Sequence, residues 1–201
     1  MRVVIIGLIL LFSLVSFGCG GLQGPQLKKS DLLAEMEISK PSDSQGGRPV
    51  ICVKPFTITR GIPDPHVVGE AWVGAYLVAV ESENPVDVVV MDQVKEGFSK
   101  AGFKLGDTPE CGLEISGRIE RFWVSELRGG FSERAKAAVR YDLIIRDKNG
   151  KFLWGDTIEG RASDEHGGDI TKYDVPTLVK ALNKSVESIF TKESFWGVMR
   201  K

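Results

Sequence analysis

The sequence predicts an α+β fold: a mainly antiparallel sheet with two amphipathic helices packed on one face. Three observations carry that expectation. Val86, Val90, Val94 and Phe98 recur every fourth residue. Leu178, Val179, Leu182, Val186, Ile189 and Phe190 form a second, wider apolar stripe. Between them, Leu113, Ile115 and Ile119, then Val139, Tyr141, Leu143 and Ile145, alternate with polar residues, the period of strands with one wet face. Strands and helices are segregated along the chain, which is the α+β order.

The chain opens with Arg2, an apolar run from Val3 to Phe17, and then Gly18-Cys19-Gly20-Gly21. A positive start, a short apolar stretch and a small-residue ending describe an export signal. The run is short for a permanent membrane span. Val15-Ser16-Phe17-Gly18-Cys19 resembles the bacterial lipobox, with Ser16 where an aliphatic residue is usual. That resemblance implies cleavage before Cys19 and attachment there of a diacylglycerol and a fatty acyl group such as palmitate. Several acyl chains hold a protein on a membrane durably, because each buried methylene adds about 0.8 kcal/mol. Gly20, in place of an aspartate, implies the outer membrane by the same resemblance.

Residues 1–18 are thus expected to be a cleaved signal peptide, 19–48 a lipidated N-terminus and flexible tether, and 49–201 a single α+β domain. The tether is rich in breakers, notably Gly24-Pro25 and Lys40-Pro41-Ser42-Asp43-Ser44-Gln45-Gly46-Gly47. Ser30 to Ile38 reads either as a short free helix or as a segment docked on the domain. Val50 to Thr59 reads as a strand, at an edge or bulged at Pro55, which has no N–H to donate. His66 to Val80 reads as a strand ending near Val80. In the first helix, Asn84 is the expected cap and Pro85 the first helical residue. Gly102 is placed to end it in a left-handed turn, before a short strand at Phe103 and Leu105.

In the meander, Gly117 is a bulge candidate, and the alternation blurs at Phe122-Trp123-Val124. Asp147-Lys148-Asn149-Gly150 predicts a hairpin with a type I′ turn. Asp164 to Lys172 reads as a polar loop. The last helix is expected from about Val175, with Asp174 as its cap and Pro176 in its first turn.

The totals narrow the function. The 201 residues carry 26 basic and 27 acidic side chains and are 42% hydrophobic. That composition supports one cored domain and disfavours nucleic acid, which needs a concentrated positive field. With Cys19 lipidated, Cys52 and Cys111 remain as a pair in an oxidising compartment. They are either a disulfide or two buried thiols.

No catalytic motif is present, so no enzyme is expected. Asp164-Glu165-His166-Gly167-Gly168-Asp169 holds metal-ligand types without the spacing of a calcium loop. Glu114 and Glu120 read as solvated acids rather than an acid–base pair. Arg118, Arg121, Arg128 and Arg134 form a modest cationic set, suited to a phosphate-bearing lipid or an acidic partner but diluted by Glu120, Glu126 and Glu133. Two aromatic groups, Phe122-Trp123 with Phe131 and Phe195-Trp196, read as a partner surface or as core.

Ile51-x-Val53-x-Pro55 with Arg60, then Val68-Gly69, Ala101-Gly102-Phe103 and Asn149-Gly150-Lys151-Phe152-Leu153-Trp154 together resemble the YajG-like and ABC-transport-auxiliary class of small envelope lipoproteins. Thr59 stands where an aspartate often precedes the arginine. The resemblance implies an α+β domain tethered to the periplasmic face of the outer membrane, serving a transport or assembly machine. It supplies no catalytic residues. The expected function is a lipid-anchored accessory or binding protein with a protein partner in the envelope. The alternative is a carrier holding a lipid or other apolar ligand between sheet and helices.

Overall fold

The computed structural model describes residues 23–33, 36–38, 49–107, 111–129, 132–166 and 171–199. The leader, Cys19, Phe131 and Gly167–Asp169 lie outside the described residues. The elements are β1 (Gln26–Leu27), a 3₁₀ turn (Lys29–Leu33), β2 (Val50–Val53), β3 (Thr57–Ile58), β4 (Val67–Val73) and β5 (Tyr76–Ser82). They continue with α1 (Val86–Lys100), β6 (Lys104–Leu105), β7 (Leu113–Gly129), β8 (Ser132–Asp147), β9 (Phe152–His166), α2 (Thr171–Phe190) and α3 (Glu193–Met199).

The fold is α+β, but its nine-stranded sheet is mixed. β7, β8 and β9 form the expected antiparallel meander. On its other side β7 takes β2, β3 and β4 in succession, all parallel to it. Parallel neighbours need a crossover, and α1 lies in that connection. β2, β3 and β4 are in effect one long path beside β7, interrupted twice. The first break is at Pro55; Lys54 N–H and Thr59 N–H still donate to Ile115 and Ile119 on either side of it. The second is the loop at Gly61–Pro65, held by Arg60, whose guanidinium donates to the carbonyls of Asp64, Val67 and Phe122. Burial holds the Arg60 pKa below its usual value, partly opposed by Asp64.

His66 to Val80 is a hairpin, not one strand. Val73 pairs with Tyr76 across the two-residue turn Gly74-Ala75, and β5 pairs in turn with β1 in parallel. Only Gly74 has positive φ, the pattern of a type II′ turn. Leu27, Leu32 and Met36 are buried, so the stretch around Ser30–Ile38 docks on the domain, and the packed unit includes residues before Pro49.

α1 begins one residue later than expected, with Pro85 rather than Asn84 at the cap position and no side-chain cap bond. Pro65 supplies the missing acceptor, taking the Val86 N–H. At the other end Phe103 N–H donates to Phe98 and Gly102 N–H to Ser99, the paired bonds of a Schellman ending. α2 starts at Thr171, so Asp174 lies within its first turn instead of capping it, and β9 runs through Asp164 to His166. Asp164 is therefore strand, not loop. It accepts from the Thr177 hydroxyl at 2.9 Å and pairs with Lys180 at 3.1 Å, tying β9 to α2.

The β8–β9 turn is a three-residue loop rather than type I′. Asp147 N–H donates to Lys151, Gly150 N–H to Asp147, and only Gly150 has positive φ. The bulge in β7 falls at Glu120, not Gly117: Ile119 faces Tyr141 and Arg121 faces Arg140. Before it, Leu113, Ile115 and Ile119 point inward; after it, Phe122, Val124 and Glu126 do. That exchange of parity is the physical cause of the blurred alternation.

The helices gather over one core. Buried Gln93 of α1 donates to Asn183 of α2 at 2.6 Å. Phe195 of α3 sits among Phe98, Phe103, Trp154, Phe190 and Trp196, with ring centroids 4.9 to 6.3 Å away.

Candidate functional site

The bulge at Glu120 decides what the sheet shows to solvent. Beyond it, Arg121, Trp123, Ser125 and Leu127 of β7 turn away from the helices. The register sets Trp123 beside Ala138 and Ala138 beside Arg161; Ser125 faces Lys136, which faces Ser163. Small residues at the centre and long ones around them leave a depression of about 550 Å³. Arg121, Lys136, Arg161 and Lys184 line it with Trp123 and Leu127, and among the described residues no carboxylate does. Arg161 pairs with Glu159. Arg121, Lys136 and Lys184 have no ion-pair partner among the described residues.

The neighbouring stretch of the same face is charge-balanced. Arg118 bridges Glu120 and Asp142 at 3.3 and 2.7 Å, and Arg140 meets Glu120 at 3.0 Å. The Thr157 hydroxyl and Arg118 hold the Asp142 carboxyl below its ordinary pKa. Lys54 pairs with Glu114, and Arg134 with Glu165. Glu114 and Glu120 therefore each serve a cation, and the basic depression stands out by its lack of acids.

The aromatic candidates separate. Trp123 is on the depression. Phe122 and Phe195 are fully buried core residues rather than partner surface, Phe122 because the bulge turns it inward and Phe195 because α3 sets its ring among Phe98, Phe103, Trp154 and Phe190. Trp196 is half-buried, stacked on Phe103 at 6.1 Å, and its indole donates to the Phe190 carbonyl at 2.8 Å. Cys52 and Cys111 form a disulfide with a Cα–Cα distance of 5.5 Å, joining β2 to the approach to β7. His66 Nδ1 lies 2.9 Å from the Ser82 carbonyl, a structural contact in the β5 end. Among the described residues, no group of three His, Cys, Asp or Glu side chains is placed to hold a metal ion.

A second feature has no forerunner in the sequence reading. Glu126 of β7 and Asp174 of α2 are both buried, and they face one another. Glu126 Oε2 accepts the Trp72 backbone N–H at 2.9 Å. Among the described residues, Glu126 Oε1 and both Asp174 oxygens have no donor. Burial, then the adjacent Glu126, push the Asp174 pKa up to about 8. A proton on Asp174 turns this clash of acceptors into a donor–acceptor pair. Its sequence signal was present but scrambled: Glu126 shares parity with Phe122 and Val124 once the bulge is counted. The pair lines neither the basic depression nor the groove along α2, so it has no route to a substrate there.

The layer between sheet and helices holds large apolar side chains. Tyr141, Phe98, Phe122, Phe195 and Leu178 are among its fully buried side chains. Burial pushes the Tyr141 phenol pKa upward, partly offset by Ser185. An opening of about 960 Å³ lies outside that layer, between α2 and the docked N-terminal segment. Its lining mixes Lys28, Lys180 and Lys184 with Asp31, Glu37 and Glu187.

No family model matches the sequence, and no curated protein matches it. Solved structures do. Protein XCC0632 from Xanthomonas campestris, of the DUF330 family, aligns at 11% identity and a TM-score of 0.54, over 87% of this chain and 95% of that one. Lipoprotein GNA1162 from Neisseria meningitidis aligns at 11% identity and a TM-score of 0.34, over 71% and 99%. A minor lipoprotein from Acinetobacter baumannii aligns at 14% identity and a TM-score of 0.38, over 52% and 82%. The likeness to XCC0632 is one of fold.

Proposed function

We propose that this chain is a lipid-anchored accessory protein of the bacterial cell envelope that binds an acidic partner protein and performs no catalysis. Cys19 carries the diacylglycerol and fatty acyl groups, and the domain faces the periplasm from the outer membrane. The observation that carries the binding role is the basic depression around Trp123, whose described lining residues include four cations and no acid. Arg121 and Lys136 have no ion-pair partner among the described residues, and Trp123 with Leu127 adds the apolar contact common at partner surfaces. The carrier reading has less behind it, because large side chains such as Tyr141, Phe98 and Leu178 are fully buried between sheet and helices.

The test is crosslinking in intact cells followed by mass spectrometry, comparing wild type with the double variant Arg121→Glu, Lys136→Glu. Both side chains are exposed, so folding is retained and a specific crosslinked protein is lost. An unchanged partner set refutes the assignment of this face. Cys19→Ser abolishes acyl labelling and releases the domain from the membrane fraction; persistent labelling refutes the anchor.

A further inference from the structure

The hairpin of β4 and β5 ends in an apolar tip. From Ala71 to Val80 no side chain is charged, and Glu70 and Glu81 bracket the stretch. Tyr76 is 65% exposed and Leu77 50%, with Gly74 and Ala75 exposed between the strands. The register places Val73 opposite Tyr76 and Trp72 opposite Leu77. Successive side chains alternate in direction, so Val73 with Tyr76 lies on one face of the tip and Trp72 with Leu77 on the other. Single exposed apolar residues need no explanation, but a protruding tip that is apolar on both faces does. A protein groove covers one face of a hairpin more readily than both, whereas a lipid surface surrounds it. Trp and Tyr are the side chains enriched at the membrane–water interface.

The second observation is where the chain leads. β1 runs parallel to β5, with Gln26 beside Glu81 and Leu27 beside Ser82. The Pro25 carbonyl accepts the Glu81 N–H, and Gly24 lies against Val78 and Ala79. Followed backwards, Leu27 to Gly24 heads towards the hairpin tip. Cys19 precedes Gln23 by four residues, a covalent reach of at most about 14 Å. Ala79 is four residue steps along the chain from Ala75, also about 14 Å. An acylated Cys19 is therefore held on a short leash within reach of the tip, not at the end of a tether running to Arg48.

We propose that the β4–β5 tip, formed by Trp72, Val73, Tyr76 and Leu77, inserts into the headgroup region of the membrane that holds Cys19. The domain then sits on the bilayer in a fixed orientation. Glu70 and Glu81 at the base of the tip limit the depth. This inference rests on the lipid anchor of the preceding section, and its test separates the two.

Full-length acylated protein carrying Ala75→Cys, labelled with an environment-sensitive fluorophore, is reconstituted into phosphatidylethanolamine–phosphatidylglycerol vesicles. A matched protein carries the label at Lys148→Cys, in the turn at the opposite end of the long strands. The expected result is a blue-shifted emission at position 75 that nitroxide-headgroup lipids quench, with position 148 unaffected. Adding Tyr76→Asp and Leu77→Asp returns position 75 to a water-like emission while the protein stays on the vesicles. A water-like label at 75 in otherwise vesicle-bound wild type overturns the tip contact and leaves the anchor standing. A blue shift that lipid nitroxides do not quench also overturns it, in favour of a protein occupant. An intact mass without acyl chains overturns the anchor, and the membrane seating with it.

Discussion

Replacing Asp174 with Asn makes the domain more stable, and the gain grows with pH. Asp174 is fully buried against Glu126, and its pKa stands at about 8, against an ordinary 3.8. Between those values the native chain keeps a proton that the unfolded chain has released. Its contribution to stability is therefore complete below about pH 4, declines as pH rises, and is gone above about pH 8. The slope is at most about 1.4 kcal/mol per pH unit, so from pH 4 to pH 7 the loss is on the order of 4 kcal/mol. Asn has no proton to lose, and its amide still donates to Glu126. Urea unfolding of both proteins, followed by tryptophan fluorescence from pH 4.5 to 8.5, measures the difference directly. Titrating groups other than the coupled Glu126 cancel in that difference. The two proteins are within about 1 kcal/mol at pH 4.5, and Asp174→Asn leads by several kcal/mol at pH 8.5. A difference that stays flat with pH, or a variant that is less stable at pH 8.5, refutes the shared-proton account.

Two further outcomes follow from packing and covalent structure. A Cβ on Gly160 would collide with the Ala181 carbonyl and the Ser185 nitrogen, both backbone atoms of α2. Gly160→Ala thus lowers the urea midpoint by an amount worth about 3 kcal/mol, with little change in slope; a neutral variant would show that α2 does not rest directly on β9. Cys52 and Cys111 close a loop with a sequence separation of 59. Replacing both by Ser costs about 4 kcal/mol on the chain-entropy account, and unfolding with and without reductant checks it.

The sequence exposed what local periodicity can carry. The valine stripe of α1, the stripe of α2 and the alternation of β8 are each legible because their neighbours in space are set by 3.6- or 2-residue spacing. What stayed hidden was non-local or coded by ordinary residues. Nothing in Ile51 or Thr57 announces parallel pairing with β7. The turn at Gly74-Ala75 lacks a second turn-forming residue, so a hairpin read as one strand. Asp174 and Pro176 both look like helix-start signals, which hid a start at Thr171 and with it the buried acid. The basic depression was half visible: Arg121 was in the cationic set, but Lys136 and Arg161 join it only through the register of three strands.

Glu120 behaves like a one-residue frameshift in the pleat. Removing it would put Arg121, Trp123, Ser125 and Leu127 into the hydrophobic layer and Phe122, Val124 and Glu126 into water. The unpaired basic surface and the proton-sharing acids, on opposite sides of β7, are thus two products of the same insertion. A variant lacking Glu120 cannot keep one and lose the other, whereas point changes on either side can.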